Sequence, residues 1–165
     1  LKDGPMVMEA PPKVLGIVDD FWFRYVADFG MAGPDKGKGG KYLFLPPGYE
    51  GKVPEGYHVA RSATYGNWLV IRGFLEDGDP KPGVKNIKDN FKLYPLGKTA
   101  SDSKVKYHDI SMKYLNTIHA SDETYFEEIN KIVQEEPLRL RAPKSSGCSH
   151  PSASRRASPS IRMPA

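Results

Sequence analysis

Tyr42-Leu43-Phe44-Leu45-Pro46-Pro47-Gly48-Tyr49-Glu50-Gly51-Lys52-Val53-Pro54-Glu55-Gly56-Tyr57-His58-Val59-Ala60-Arg61 places two short apolar runs on either side of repeated proline–glycine turns. Aromatic and β-branched side chains fit a pleated, half-buried surface, so each run reads as a strand. The same rhythm extends outward from Asp19 to Asp79. It is punctuated by Gly33-Pro34-Asp35-Lys36-Gly37-Lys38-Gly39-Gly40 before the quoted stretch and by Glu76-Asp77-Gly78-Asp79-Pro80 after it. Lys41 to Leu45, Tyr57 to Arg61 and Asn67 to Leu75 are therefore expected strands, the last two joined through Ser62 to Gly66 as a hairpin. Met6-Val7-Met8-Glu9 adds a short strand closed by Pro11-Pro12, because a proline pair removes two ladder donors. Val14 to Phe29 fits either period, since Phe21, Phe23 and Tyr25 alternate while Phe21, Tyr25 and Phe29 recur at helical spacing. A strand is favoured there by the β-rich neighbourhood. The continuous run Trp68-Leu69-Val70-Ile71 predicts a central strand buried on both faces, with Trp68 enclosed.

Beyond Asp79-Pro80-Lys81-Pro82-Gly83 the period changes. Val84, Ile87 and Phe91 recur at three and four residues and predict a short helix, and Ser111 to His119 is a second helical candidate. A third helix is expected after Ser121 as N-cap, with an apolar stripe of Tyr125, Phe126, Ile129, Ile132 and Val133, stopped by Pro137.

Asp20-Phe21-Trp22, Gly40-Lys41-Tyr42-Leu43-Phe44-Leu45-Pro46-Pro47-Gly48-Tyr49, Arg61-Ser62-Ala63-Thr64-Tyr65 and Arg72-Gly73-Phe74-Leu75-Glu76-Asp77-Gly78 resemble, in order, a two-part bacterial family of unknown function. Its modules are the domains of unknown function 1254 and 1214. The resemblance spans Asp3 to Pro137 and implies a mainly β fold: an immunoglobulin-like β-sandwich, then a short α-helical region, then a jelly-roll module that this chain would lack. It implies exported, oligomeric proteins in the periplasm or cell envelope, and it carries over no activity and no catalytic residues. The expected organisation is a sandwich over 1–97, a helical linker over 98–137, and a tail over 138–165. The tail is rich in Ser, Pro and Arg without an aromatic. A second reading frame through codons compatible with Ala153 to Pro164 spells a segment similar to the family's continuation after Gln134-Glu135-Glu136-Pro137. The tail is therefore read as a frameshift product and the chain as a truncated member.

The 165 residues carry a formal charge of +4, yet the tail alone holds six basic residues and no acid. That leaves 18 basic against 20 acidic residues in the body, so no nucleic-acid partner is expected from charge. The 7 Phe, 2 Trp and 9 Tyr all lie between Phe21 and Phe126, which confines a compact core to that span. Cys148 is the single cysteine, and no run of 18 apolar residues offers a membrane span. The four histidines lack ligand spacing, so no metal and no cofactor is expected.

Gly33 to Lys41 holds glycines and lysines that resemble a phosphate cradle but lacks the Gly-Lys-Ser/Thr ending, and reads better as a sheet loop. Asp19 and Asp20 point to opposite faces of a strand, so only one of them can serve a given site. Asp77 and Asp79 read as turn chemistry. Asp20, Arg61 and Arg72 are the weak catalytic candidates, and a buried Asp20 beside an arginine would instead be a structural ion pair. Trp22 and Trp68 offer faces for a sugar ring, although core packing is the commoner use. Two functions follow: a binding or assembly module of the cell envelope, or a hydrolase or lyase whose site forms against the missing jelly-roll module. The expected partners are that module and further copies of the chain.

Overall fold

A computed structural model describes residues 1–137; the readings that concern the tail, Cys148 included, fall outside the described residues. Seven strands form two sheets. Strands β1 (Met6–Ala10), β4 (Gly40–Leu45), β5 (His58–Arg61) and β7 (Lys92–Pro95) make one sheet in the order β5-β4-β1-β7. Strands β2 (Val14–Asp20), β3 (Tyr25–Gly30) and β6 (Asn67–Gly73) make the other, in the order β3-β2-β6. Pairing is antiparallel throughout except for β4 and β5, which run parallel. Helix α1 (Lys81–Asn90) packs near β6, and helix α2 (Thr124–Glu135) follows a long segment without regular secondary structure. The expected mainly β architecture is what the chain adopts.

The main core lies between the sheets. Met8, Ala10, Tyr42 and Phe44 from the four-stranded sheet meet Val14, Val18 and Phe29 from the three-stranded one, with Ala60 and Phe91 closing the cluster. A second cluster lies on the opposite face of the four-stranded sheet, where Val7, Leu43, Leu45 and Tyr94 are covered by Tyr49, Val53 and Tyr57 from the proline–glycine turns. Strand β4 is thus buried on both faces, with Tyr42 through Leu45 all nearly inaccessible. The Tyr94 hydroxyl donates to Glu9 Oε1 at 2.7 Å, and that bond, ahead of Lys41, holds the Glu9 carboxyl below its usual range.

Four expectations are corrected. Val14 to Phe29 is a hairpin of two strands, because a run of that length exceeds the usual strand and the chain reverses at Phe21 to Arg24. Phe21, Phe23 and Tyr25 therefore do not share a strand face. Ser62 to Gly66 is no hairpin: β5 pairs with β4 while β6 pairs with β2, so these five residues carry the chain from one sheet to the other. Strand β6 lies at a sheet edge, not at its centre. Leu69 and Ile71 face the core whereas Trp68 and Val70 are each 52% exposed, so Trp68 is not the enclosed ring that was expected. The apolar run disguised a period of two, and the strand with two buried faces is Tyr42 to Leu45. Ser111 to His119 forms no helix; the chain has no regular secondary structure there apart from a turn at Ser111-Met112. Helix α2 begins as expected within a few residues, but Glu123 is the cap residue and the Asp122 carboxylate accepts from the Thr124 amide.

Two glycines are dictated by close approach. Gly16 pairs with Phe29 across β2 and β3, and a Cβ there would lie 2.0 Å from Phe29 Cζ. Gly30 ends β3 at φ +72, where a Cβ would meet the Val14 carbonyl oxygen at 2.1 Å. Gly16→Ala should accordingly destabilise the chain by about 1–3 kcal/mol in urea unfolding through overpacking. Pairing it with Phe29→Leu should recover part of that loss, as expected for residues in contact. For Glu9, the depressed folded-state pKa means its stabilisation is complete above the reference value of 4.5 and is lost as pH falls through the lower folded value. Tyr94→Phe should flatten the decline of thermal stability below pH 4.5, measured against the parent chain.

Candidate functional site

Asp20 closes strand β2 with its carboxylate almost fully buried. Oδ1 accepts from the Trp22 and Arg24 amides at 2.8 and 3.0 Å, and Oδ2 accepts from Arg24 Nε at 2.7 Å, with Arg24 Nη2 also at 2.7 Å. Main-chain bonds from Phe23 to the Asp20 carbonyl and from Asp20 to the Arg24 carbonyl complete a tight reversal. Asp20 is therefore a turn-forming ion pair, consistent with a structural role. Within this reversal Phe23 adopts φ 55, a left-handed conformation costing a non-glycine residue about 1–2 kcal/mol. Its ring is 67% exposed, so burial returns little of that cost.

Arg61 lies exposed at the end of β5 and donates from Nη1 to the Tyr49 carbonyl. Arg72 lies exposed on β6, opposite Leu15, whereas Asp20 stands opposite Asn67 at the far end of the same pairing. Five residues of strand separate those positions, about 17 Å. The three candidates thus occupy different ends and different sheets. Arg72 borders a shallow recess with Leu15, Ile17, Asp28 and Val70 on the outer face of the three-stranded sheet.

The glycine-rich loop is organised from within. Asp35 is buried and accepts from the Gly30 amide at 2.8 Å, the Gly39 amide at 3.1 Å and the Tyr42 hydroxyl. Burial first, and then this bond, pushes the Tyr42 hydroxyl pKa well up. Gly33, Lys36, Gly37 and Lys38 amides bond to carbonyls of the same loop. With its amides committed inward, the loop has the chemistry of a sheet connection. Lys13 and Lys36, both left-handed, flank a groove of about 710 Å³ with Met31, Phe74, Glu76 and Asn86.

The intersheet crossover is also built on side-chain bonds. Ser62 Oγ accepts from the Thr64 amide and donates to its carbonyl, while Thr64 Oγ1 donates to the Gly66 carbonyl and accepts from the Phe21 amide. The Tyr65 and Gly66 amides then donate to the two carboxylate oxygens of Glu136, each at 2.7 Å. Glu136 is buried, and it fastens the end of α2 to the sandwich. It was missed in the sequence because a Glu-Glu-Pro string carries no periodic signal; only its place just before a proline marks the end of the helix.

Among the described residues no group of three or more His, Cys, Asp or Glu is placed to hold a metal, and no helix is long and apolar enough to cross a membrane. No curated protein matches the chain. Among solved structures, the VPA0106 protein from Vibrio parahaemolyticus, a structural-genomics target, is similar with a TM-score of 0.50 at 20% identity. That likeness covers 76% of this chain and 32% of the Vibrio protein, so the chain spans about a third of its neighbour's length, and at this identity it speaks to fold alone. The family model described as "Protein of unknown function (DUF1254)" matches residues 1–95, more than half of the chain. The chain belongs to the DUF1254 family of proteins of unknown function.

Proposed function

We propose that this chain is a binding and assembly module of the cell envelope, whose sandwich is a fixed base and whose segment from Tyr107 to Val133 docks the jelly-roll module implied by the family resemblance. One observation carries the reading. Ile110, Met112, Tyr114, Leu115, Ile118 and Phe126 are all exposed, Met112 fully and Tyr114 at 90%, within one stretch of chain. Exposed apolar side chains concentrated in this way mark an interaction site. The stretch is held at both ends: the Tyr107 hydroxyl donates to the Ile87 carbonyl, and Glu136 grips the Tyr65 and Gly66 amides. Between those ties Ile132 and Val133 are half buried, but α2 has no fully buried residue. The solved neighbour is about three times longer than the matched region, which supplies room for an occupant.

The rival reading, a hydrolase or lyase with its site between two modules, has less support. Both carboxylate oxygens of Asp20 are engaged, and Arg61 and Arg72 belong to different sheets. The test is to mix the chain with the separately produced jelly-roll module of a full-length relative and follow amide exchange. Slowed exchange from Tyr107 to Val133 on mixing is expected, with loss of hydrophobic-dye binding that the chain shows alone. Self-association of the chain through the same residues, relieved by the module, is also expected. Unchanged exchange and no dye binding would overturn the reading. Glu136→Gln should release α2 while leaving the β-sheet amides protected, since one charged acceptor for two amides is weakened. The frameshift reading of the tail predicts an inserted or missing base near the codon of Pro137, with the other frame open into a β-rich module. A gene whose tail frame reaches a natural stop with no open alternative would refute it.

A further inference from the structure

We propose that the outer face of the three-stranded sheet is a carbohydrate-binding platform, on which Phe23, Tyr25 and Trp68 stack against sugar rings and the Asp19 carboxylate accepts from their hydroxyls. Asp19 pairs with Tyr25 on one side and with Trp68 on the other. Directly paired residues of antiparallel strands project to the same face, which sets Trp68 beside Asp19, and across the bulge that shifts the β2–β3 register at Val18 and Asp19 the 65% exposed Tyr25 completes one row. The outer strands of the row are about 10 Å apart, which suits a ligand longer than a single sugar ring. Phe23 extends the row: its ring centroid lies 5.4 Å from that of Trp68, with the planes inclined by only 36°. The two rings are tilted against each other and both remain exposed, so together they form a shallow floor, whereas recognition of a quaternary ammonium calls for the walls of a cage.

Two observations distinguish this floor from an ordinary apolar patch. Phe23 is held left-handed and exposed by the buried Asp20 carboxylate, so a well-ordered part of the chain is spent on presenting a ring to solvent. Strain of this kind, maintained by a rigid surround, is characteristic of ligand sites. The second observation is Asp19. Its carboxylate is half buried between aromatic neighbours and, among the described residues, has no hydrogen-bond or ion-pair partner. An apolar protein surface laid over the row would bury that charge unpaired, which is strongly unfavourable. A pyranose offers an apolar C–H face to the rings and hydroxyl donors at its rim to the carboxylate. The platform and the segment from Tyr107 to Val133 are built from different residues, and each proposal has its own test.

The test uses the full chain and isothermal titration calorimetry with cellohexaose, xylohexaose and chitohexaose, with tetramethylammonium as the cationic probe. Because the chain has only two tryptophans, a Trp22→Phe variant leaves Trp68 as the sole reporter for a parallel fluorescence titration. Saturable binding of at least one oligosaccharide with a shift in Trp68 emission is expected, weakened about tenfold or more by Asp19→Ala and by Trp68→Ala. Phe23→Gly should weaken binding yet raise the melting temperature, since glycine accepts the left-handed backbone without strain. A lower melting temperature in Phe23→Gly would mark the ring as structural and overturn the proposal. So would the absence of saturable binding with all three oligosaccharides at about 10 mM, or a response to tetramethylammonium alone.

Discussion

The fold depends on the bond network around one buried carboxylate, that of Asp35. The connection from β3 to β4 returns the chain from the three-stranded sheet to the four-stranded one. Asp35 accepts from the last residue of β3, from Gly39 beside β4, and from the Tyr42 hydroxyl in the core between the sheets. Three donors on one side chain fix the angle and distance at which β4 enters its sheet. The Tyr42 ring then lies edge-on to Phe29 and stacks with Phe44, so the polar tie and the apolar core share a residue. Loss of the carboxylate would leave a buried hydroxyl and two amides without acceptors, each costing about 1–3 kcal/mol.

Asp20 and Glu136 repeat the device elsewhere. Asp20 collects two amides and a guanidinium at the β2–β3 reversal, and Glu136 collects two amides at the intersheet crossover. All three carboxylates sit where the backbone changes direction and its amides lack strand partners. A buried donor must be paired, and an ionised carboxylate is the strongest acceptor a side chain provides. Asp20, the acid first weighed for catalysis, thus has architectural work, whereas its neighbour Asp19 has no hydrogen-bond or ion-pair partner among the described residues.

What the sequence disclosed follows the same physics. Proline and glycine act locally, so the strands flanking Pro46-Pro47-Gly48 and Val53-Pro54 were legible, as was the amphipathic stripe of α2. Sheet membership was not. Whether Trp68-Leu69-Val70-Ile71 sits centrally or at an edge depends on pairing with Val14 to Asp20 some fifty residues earlier, and a short run of four apolar residues hides its own alternation. The split at Phe21 to Arg24 was hidden because the reversal uses a left-handed Phe in place of glycine. Strand β7 was also missed, since Lys92 to Pro95 is four residues long and takes its partner from the start of the chain. For the candidate site, the sequence allowed a structural ion pair between Asp20 and an arginine without deciding which arginine, whereas the grip of Glu136 on Tyr65 and Gly66 joins positions seventy residues apart.

The parallel pairing of β4 with β5 makes the module one-sided. Two parallel neighbours require a long return, and here residues 46–57 make it across the outside of the four-stranded sheet. Tyr49, Val53 and Tyr57 seal that face, so the four-stranded sheet is an interior layer and the three-stranded sheet is the front of the molecule. A partner or ligand that uses a flat sheet surface therefore has one direction of approach. Chain topology, more than any single side chain, decides which half of the sandwich is open to evolve recognition.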